Sequence, residues 1–159
     1  MPASTDLDDI SFLGRLSEAL STTIEEQTRD LFDAADIVVP VKSCSLLTVL
    51  GQAGEASAAE LARALGQSHQ LVIQKCPALL RLGLVTQRPD PADARRKLFS
   101  LTDRGREQLA LLAAYRDDIA DIYARLFEEV GDDVHGLILK TLDALKKRPL
   151  RERAALENR

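Results

Sequence analysis

The sequence has no apolar run of about 18 residues or more, the length that a transmembrane helix requires. Its N-terminal segment, MPASTDLDDI, is acidic and lacks the basic and then apolar order of a secretory signal peptide. We therefore expect a protein that stays in the cytoplasm and has no membrane partner. The two cysteines, Cys44 and Cys76, would be reduced thiols in that compartment.

The sequence also lacks the motifs of common catalytic and metal sites. It contains no Gly-rich phosphate-binding loop, no nucleophile elbow and no HExxH zinc motif. His69 and His135 are far apart, and His69 with Cys76 on one helical face would supply too few ligands for zinc. We therefore predict a protein that is not an enzyme and needs no metal or other cofactor.

The net charge of −4 is unusual for a protein that binds nucleic acid. Its distribution is uneven, however: between Gly54 and Arg104, eight basic and five acidic side chains give a local charge of +3, and the rest of the chain carries −7. The phosphates of bound DNA interact most strongly with the charges nearest to them, so the local charge matters more than the net charge of the chain. This distribution is compatible with DNA binding, but a solvated surface with uneven charge would show the same excess.

The sharpest local signals lie in residues 57–105. Ser57 and Glu60 have the spacing of a capping box, in which hydroxyl and carboxylate bond each other's backbone N–H groups. Gly66 can end this first helix, because glycine enters the left-handed conformation without steric cost. Ser68 can cap a second helix, which Gly83 can end. The spacing predicts a helix, a tight turn and a second helix.

Two short runs after the second helix have the composition of strands, Leu84–Arg88 and Lys97–Leu101. The segment between them, Pro89–Asp93, is rich in turn-forming residues. A helix-turn-helix followed by a two-stranded wing is a geometry that reads duplex DNA.

This segment resembles the MarR family of bacterial winged helix-turn-helix transcriptional regulators. The matching positions are Ala59–Ala62, Leu65, Gly66, Ser68, Val72, Leu79, Gly83–Val85, Arg88, Asp90, Pro91, Asp93, Arg95 and Leu101–Gly105. The resemblance implies a homodimer whose terminal helices form a bundle above two winged lobes. It also implies control by a small aromatic or phenolic ligand, bound between the bundle and the lobe.

Long amphipathic helices are predicted on both sides of this segment, over residues 7–32, 103–130 and from Asp132 or Asp133 to Arg148. Their apolar stripes exceed what a small winged domain can cover, so we expect them to pack together across a twofold axis. We predict a mainly α protein with a small β wing, a single MarR-like unit over residues 1–159. Its winged helix-turn-helix lobe spans residues 40–102, between N- and C-terminal dimerisation helices at 7–33 and 103–148.

The second helix of the motif would enter the major groove with its N-terminal turns first. Glutamine can bond adenine at two points, serine can reach a phosphate or a base edge, and Leu71 could touch a thymine methyl group. In the wing, the resemblance implies that Arg95 enters the minor groove and that Asp93 orients it. Our candidate DNA-binding residues are Ser68, His69, Gln70, Gln74, Arg88, Asp93, Arg95, Arg96 and Lys97.

The wing candidates have different expected roles. Arg96 or Lys97 could replace a family arginine that is absent here, where Ala94 stands. Arg88 and Lys97 are candidates for phosphate contacts, which position a protein without reading sequence. The alternative for all of these basic residues is a solvated turn.

Departures from the family pattern leave a second function open. Leu71 and Ile73 stand where the family has small polar residues, and Pro77 should kink the second helix by removing a hydrogen bond. The alternative is a dimeric winged-helix protein-interaction module with weak or no specific DNA binding, which would have no need for Arg95. Redox sensing is a weaker hypothesis, because family members that sense oxidants carry the cysteine in the first helix, where this chain has none.

Overall fold

The computed structural model describes residues 8–154 and has a mainly helical fold with one small antiparallel sheet, which confirms the predicted fold class. None of the helices in this part of the chain is both long and apolar enough to cross a membrane. The elements in chain order are α1 (Leu13–Ala34), α2 (Cys44–Ala53), β1 (Glu55–Ser57), α3 (Ala58–Leu65), α4 (His69–Arg81), β2 (Val85–Asp90), β3 (Asp93–Leu101), α5 (Asp103–Ala114), α6 (Arg116–Val130), α7 (Val134–Lys147) and α8 (Leu150–Ala154), with 3₁₀ turns at Ile10–Phe12 and Val41–Ser43.

The predicted helix caps are present. The Ser57 hydroxyl accepts from the Glu60 N–H, and the Glu60 carboxylate accepts from the Ser57 N–H at 2.8 Å. Gly66 ends α3 in the left-handed conformation with φ 61°, and the Ser68 hydroxyl caps α4. These caps and the three-residue connection fix α3 and α4 as a helix-turn-helix.

The sheet has three strands in the order β1-β3-β2, one more than predicted. The additional strand, β1, pairs with β3 through Glu55 opposite Ser100 and Ser57 opposite Leu98. The wing is also longer than predicted, since β2 reaches Asp90 and β3 begins at Asp93. The proline-bearing turn therefore shrinks to two residues between the strands.

The long helix predicted for residues 103–130 is interrupted at Tyr115, so this prediction is wrong. Tyr115 keeps right-handed backbone angles, but its ψ of −4° is far from the helical value and separates α5 from α6. The first helix also differs from prediction: its α-helical part begins at Leu13, after a 3₁₀ turn, and the predicted start at residue 7 lies outside the described residues.

Seven large side chains are almost fully buried, and all of them lie in α2, α3 or α4 or immediately before β2. They are Leu46, Leu47, Leu50, Leu61, Val72, Leu79 and Leu84. The winged lobe therefore has its own hydrophobic core, which holds α4 against α2 and α3.

The chain divides into two compact units, the first ending at Tyr115 and the second beginning at Arg116. In the second unit, no residue of α6, α7 or α8 is buried. The apolar side of α7 is 38–52% exposed at five positions, Leu137, Ile138, Leu139, Leu142 and Leu145. In the first unit, the N-terminal half of α1 similarly exposes Leu13, Leu16 and Leu20. Both helices thus present apolar faces that the single chain leaves in contact with solvent.

Gln108 on α5 joins that helix to the connection between α1 and the winged lobe. Its amide is largely buried, donates to the Asp36 carbonyl at 3.0 Å and accepts from the Val38 N–H at 2.8 Å. Asp36 has φ 56°, a strained conformation for a residue with a side chain. The two hydrogen bonds therefore fix an otherwise unfavourable turn.

We expect Gln108→Ala to lower the free energy of unfolding by about 1–3 kcal/mol, because it leaves two backbone groups without their partner. Chemical denaturation of the variant and the wild type measures this change. Glu107→Ala, at the exposed neighbouring position, is the control and should change it by less than about 0.5 kcal/mol. Equal stability of the two variants would show that the amide does not hold the turn.

Candidate DNA-binding surface

Helix α4 presents one line of exposed side chains opposite its buried side. Val72, Cys76 and Leu79 face the core. On the other side, the spacing of four, three and four residues places Gln70, Gln74, Pro77 and Arg81 in one exposed row. The two glutamines occupy the N-terminal half of the helix, the half that contacts bases in helix-turn-helix proteins.

Apolar side chains flank this row. Leu71 is 48% exposed and Ile73 is 43% exposed, so the surface alternates amide and apolar groups. Lys75 is held beside this surface, because its ammonium donates to the Gln67 side chain at 2.9 Å. Burial, with a smaller contribution from the charge of Lys42, lowers the pKa of Lys75.

Pro77 lies inside α4, which continues for a further turn to Arg81. Proline has no N–H, so the Ile73 carbonyl lacks its usual helical donor. The proline ring lies in the exposed row, where its missing donor removes no contact with the core. The helix therefore continues past the proline, and the predicted kink at Pro77 stays a prediction.

The predicted wing residues lie on β2 and β3, but their contacts differ. Arg95 and Lys97 are exposed, and neither has a side-chain partner among the described residues. Asp93 accepts from the backbone N–H of Arg95 at 3.0 Å. It therefore holds the backbone of the wing at this point, whereas the resemblance implied that it orients the guanidinium.

Arg88 forms a two-point ion pair with Glu55 across the sheet. Its Nε donates to Glu55 Oε2 at 2.7 Å and its Nη2 to Oε1 at 2.5 Å. The hydrogen bonds to Glu55 raise the pKa of Arg88. The Nε and Nη2 donors of the Arg88 guanidinium, which could bind a phosphate at two points, are thus occupied in the free protein.

Arg96 is also held by acids. Its guanidinium donates to the Ser57 hydroxyl at 3.1 Å and lies within 4 Å of the carboxylates of Glu60 and Asp90. Glu55 and Glu60 are not evident as partners in the sequence, because they lie more than 30 residues from the arginines that they contact. Asp90 is only six residues from Arg96, but the two are brought together by the β2–β3 hairpin, which is longer than predicted. A prediction of strand β1 and of its pairing with β3 would have identified Glu55 as the partner of Arg88.

The two cysteines are poor candidates for redox chemistry. Burial raises the pKa of Cys44 to about 11 and also raises the pKa of Cys76, which lies in the core. The Cys76 thiol donates to the Val72 carbonyl at 3.3 Å. Both thiols therefore stay protonated near neutral pH, and a protonated thiol is a weak nucleophile.

The fold and the wing define a winged helix-turn-helix protein. Residues 39–96, which contain most of the winged lobe, match the model of the MarR family. The match covers just over a third of the chain and shows that the winged lobe is similar in sequence to this family. Among curated protein sequences, none matches the chain.

Solved structures share this fold over most of their length. A mutant of MarR from E. coli complexed with operator DNA matches with a TM-score of 0.62 and 19% identity, covering 91% of this chain and 97% of that one. A probable transcriptional regulator from Pseudomonas aeruginosa has a TM-score of 0.60 and 25% identity, covering 85% and 98%. The S. aureus MepR–DNA complex has a TM-score of 0.60 and 22% identity, covering 86% and 98%.

Proposed function

We propose that the protein is a homodimeric, sequence-specific DNA-binding transcriptional regulator that acts as a repressor by occupying its operator. The observation that carries the proposal is the exposed row on α4. Gln70 and Gln74 are exposed on a helix whose other side packs in the core, beside a wing in which Arg95 and Lys97 have no side-chain partner within residues 8–154. Its action on chromosomal DNA would place the protein in the cytoplasm.

The chemistry of α4 favours an A·T-rich half-site. Glutamine pairs with adenine at two points, and apolar side chains such as Leu71 and Ile73 suit the thymine methyl group. The first two turns contain no arginine, the commonest reader of guanine, and no acid to accept from cytosine. Ser68 and His69, at the start of the helix, are placed for phosphate or base-edge contacts.

The wing would add contacts in the adjacent minor groove. A narrow A·T-rich minor groove has an enhanced negative potential that attracts an inserted arginine. We assign this role to Arg95, which is exposed and free of acidic partners among the described residues, and a phosphate contact to Lys97. Asp93 supports the backbone that carries Arg95.

A second copy of the chain would cover the apolar faces of α1 and α7. Exposed leucine and isoleucine over several helical turns is typical of a surface that a partner buries. The segments in this role would be residues 7–33 and 103–148, outside the winged lobe of residues 40–102. A twofold dimer would present two α4 helices about 34 Å apart to a pseudo-palindromic operator.

A cavity of about 310 Å³ in the first unit is our candidate site for a small aromatic ligand. Its apolar wall is formed by Phe32, Ile37 and Val39, and Arg29 lies at its polar side. It lies between α1 and the segment that enters the winged lobe. A ligand that fits one arrangement of these elements better than another would change the DNA affinity.

Phenol and benzoate are suitable probes for this cavity. We expect millimolar probe to release operator DNA from the wild type but not from Val38→Phe, because Val38 lines the cavity from an exposed position that a larger side chain can fill. Val130→Phe, an exposed position in the second unit, is the control. Equal release from both variants would rule out this cavity.

Binding to DNA from upstream of the coding region, measured by gel shift across a salt series, tests the proposed function. Tight, competitor-resistant binding that weakens steeply with salt is the expected result. Weak binding that any DNA competes away would contradict it. That result would favour the protein-interaction module, for which the exposed Leu71 and Ile73 would form part of the docking surface.

Neutralising Glu55 should strengthen DNA binding. Glu55→Gln weakens the hold on Arg88 and removes a negative charge near the phosphates, so we expect the affinity to rise about threefold to tenfold and the salt dependence to steepen. Glu128→Gln, on α6, makes the same charge change outside the lobe and is the control. If the two variants behave alike, Arg88 does not contact the phosphate backbone.

A further inference from the structure

Arg96 connects the wing to the N-terminus of α3. Its Nη2 lies 3.1 Å from the Ser57 hydroxyl and 3.5 Å from Glu60 Oε2, and its Nε lies 3.6 Å from Asp90 Oδ2. Ser57 and Glu60 form the capping box of α3, and Asp90 is the last residue of β2. One guanidinium thus bridges the helix-turn-helix and the far end of the wing.

The groups that hold Arg96 are themselves fixed. Ser57 is buried, and its N–H and hydroxyl both donate to the Glu60 carboxylate, at 2.8 and 2.7 Å. The Asp90 side chain is only 12% exposed, and its other oxygen accepts from the Ala92 N–H at 2.8 Å in the wing turn. If the Arg96 guanidinium moved away to contact DNA, these fixed partners could not move with it. The carboxylates of Glu60 and Asp90 would then lose their positively charged partner.

The contacts of Arg96 differ from those of its neighbour. The pairing of β2 with β3 is irregular here, because Pro89 lies opposite Lys97 while Asp90 lies opposite Asp93, so both arginines lie in the irregular part of β3. Arg96 contacts α3 and the end of β2, whereas the side chain of Arg95 is exposed and has no partner among the described residues. The two adjacent arginines therefore have different surroundings and need not share a role.

We infer that Arg96 is a positioning residue, which anchors the wing to α3 so that Arg95 is held in place for the minor groove, and that Arg96 does not itself read DNA. This inference rests on the proposed function, and it replaces the hypothesis that Arg96 substitutes for the family arginine missing at Ala94. The anchor is ionic and bridges three segments of the lobe, residues 57–60, 90 and 96.

The two roles predict opposite effects of Asp90→Asn. If Arg96 contacted DNA, loss of this competing carboxylate would free it and raise the affinity. If Arg96 is an anchor, the wing loosens and the affinity falls, by about tenfold. Asparagine keeps an acceptor for the Ala92 N–H, so the turn itself is preserved. Glu55→Gln, which removes one acid elsewhere on the same sheet, is the matched control and should change the affinity in the other direction.

Hydrogen exchange of the free protein tests the anchor without DNA. We expect Arg96→Ala to speed amide exchange over residues 88–97, Arg96→Lys to restore part of the protection, and Arg95→Ala to leave exchange unchanged. In a double-mutant cycle on operator affinity, Asp90→Asn should add little to Arg96→Ala, because both remove the same contact.

The outcomes separate this inference from the proposed function. Faster exchange in Arg96→Ala with no specific DNA binding by the wild type would retain the anchor and refute the regulator. Unchanged exchange in Arg96→Ala, or higher operator affinity of Asp90→Asn, would overturn the anchor even if the protein is a DNA-binding regulator.

Discussion

Replacing Arg95 with alanine is expected to lower the affinity for operator DNA by about 30- to 1000-fold. Each wing would lose one guanidinium from a narrow minor groove, at a cost of about 1–2 kcal/mol, and a dimer loses two. Because Arg95 is exposed and has no partner among the described residues, its removal should not change the stability of the free protein. Fluorescence anisotropy with a labelled operator measures the loss.

Arg125→Ala is the matched control for Arg95→Ala, because it removes the same charge from an exposed position on α6. Its effect on affinity should be smaller than about threefold at physiological salt, because α6 contains none of the proposed DNA-contacting residues and its exposed charges are screened by salt. The minor-groove assignment fails if Arg95→Ala matches this control in both affinity and salt dependence.

A pair of acidic substitutions on α7, Ile138→Glu with Leu142→Glu, should convert the proposed dimer to a monomer. Both side chains are about half exposed in the single chain, so the change introduces charges only where we propose that a second copy binds. Four buried and unpaired carboxylates would oppose association by several kcal/mol. A monomer can occupy only one half-site, so the operator affinity should also fall, by at least about 100-fold.

Sedimentation equilibrium and circular dichroism distinguish loss of the dimer from loss of the fold. Lys140→Glu, on the other side of α7, also adds negative charge and should leave the dimer intact. The helix content of both variants should match the wild type. A dimer that persists in the Ile138→Glu, Leu142→Glu variant would show that this face is not the interface.

Local signals predicted the helix-turn-helix well because each depends on residues close in sequence. The Ser57–Glu60 capping box, the left-handed Gly66 and the Ser68 cap each involve one turn of chain, and all are present. Periodicity predicted the amphipathic helices for the same reason. Periodicity did not predict the interruption at Tyr115, because the apolar spacing continues through that residue. The backbone departs from the helix there mainly in the ψ angle of Tyr115.

The contacts of the wing arginines could not be predicted in this way. Arg88 pairs with Glu55 only because β1 adds to β3, and three residues are too few for an alternating pattern to reveal a strand. Arg96 reaches Ser57 and Glu60 through the same sheet register. Sequence therefore identified the basic residues of the wing. The three-dimensional contacts show that Arg88 and Arg96 are held by acids, while Arg95 has no such partner in the described part of the chain.

Selection of bound duplexes from a random pool tests the central claim most directly, that exposed glutamines of α4 read DNA sequence. The wild type should enrich a twofold-symmetric site with A·T-rich half-sites about one helical turn apart. The Gln70→Ala, Gln74→Ala variant should lose the adenine preference while keeping salt-dependent binding. No enrichment by the wild type, or the same enriched site for both proteins, would contradict the claim.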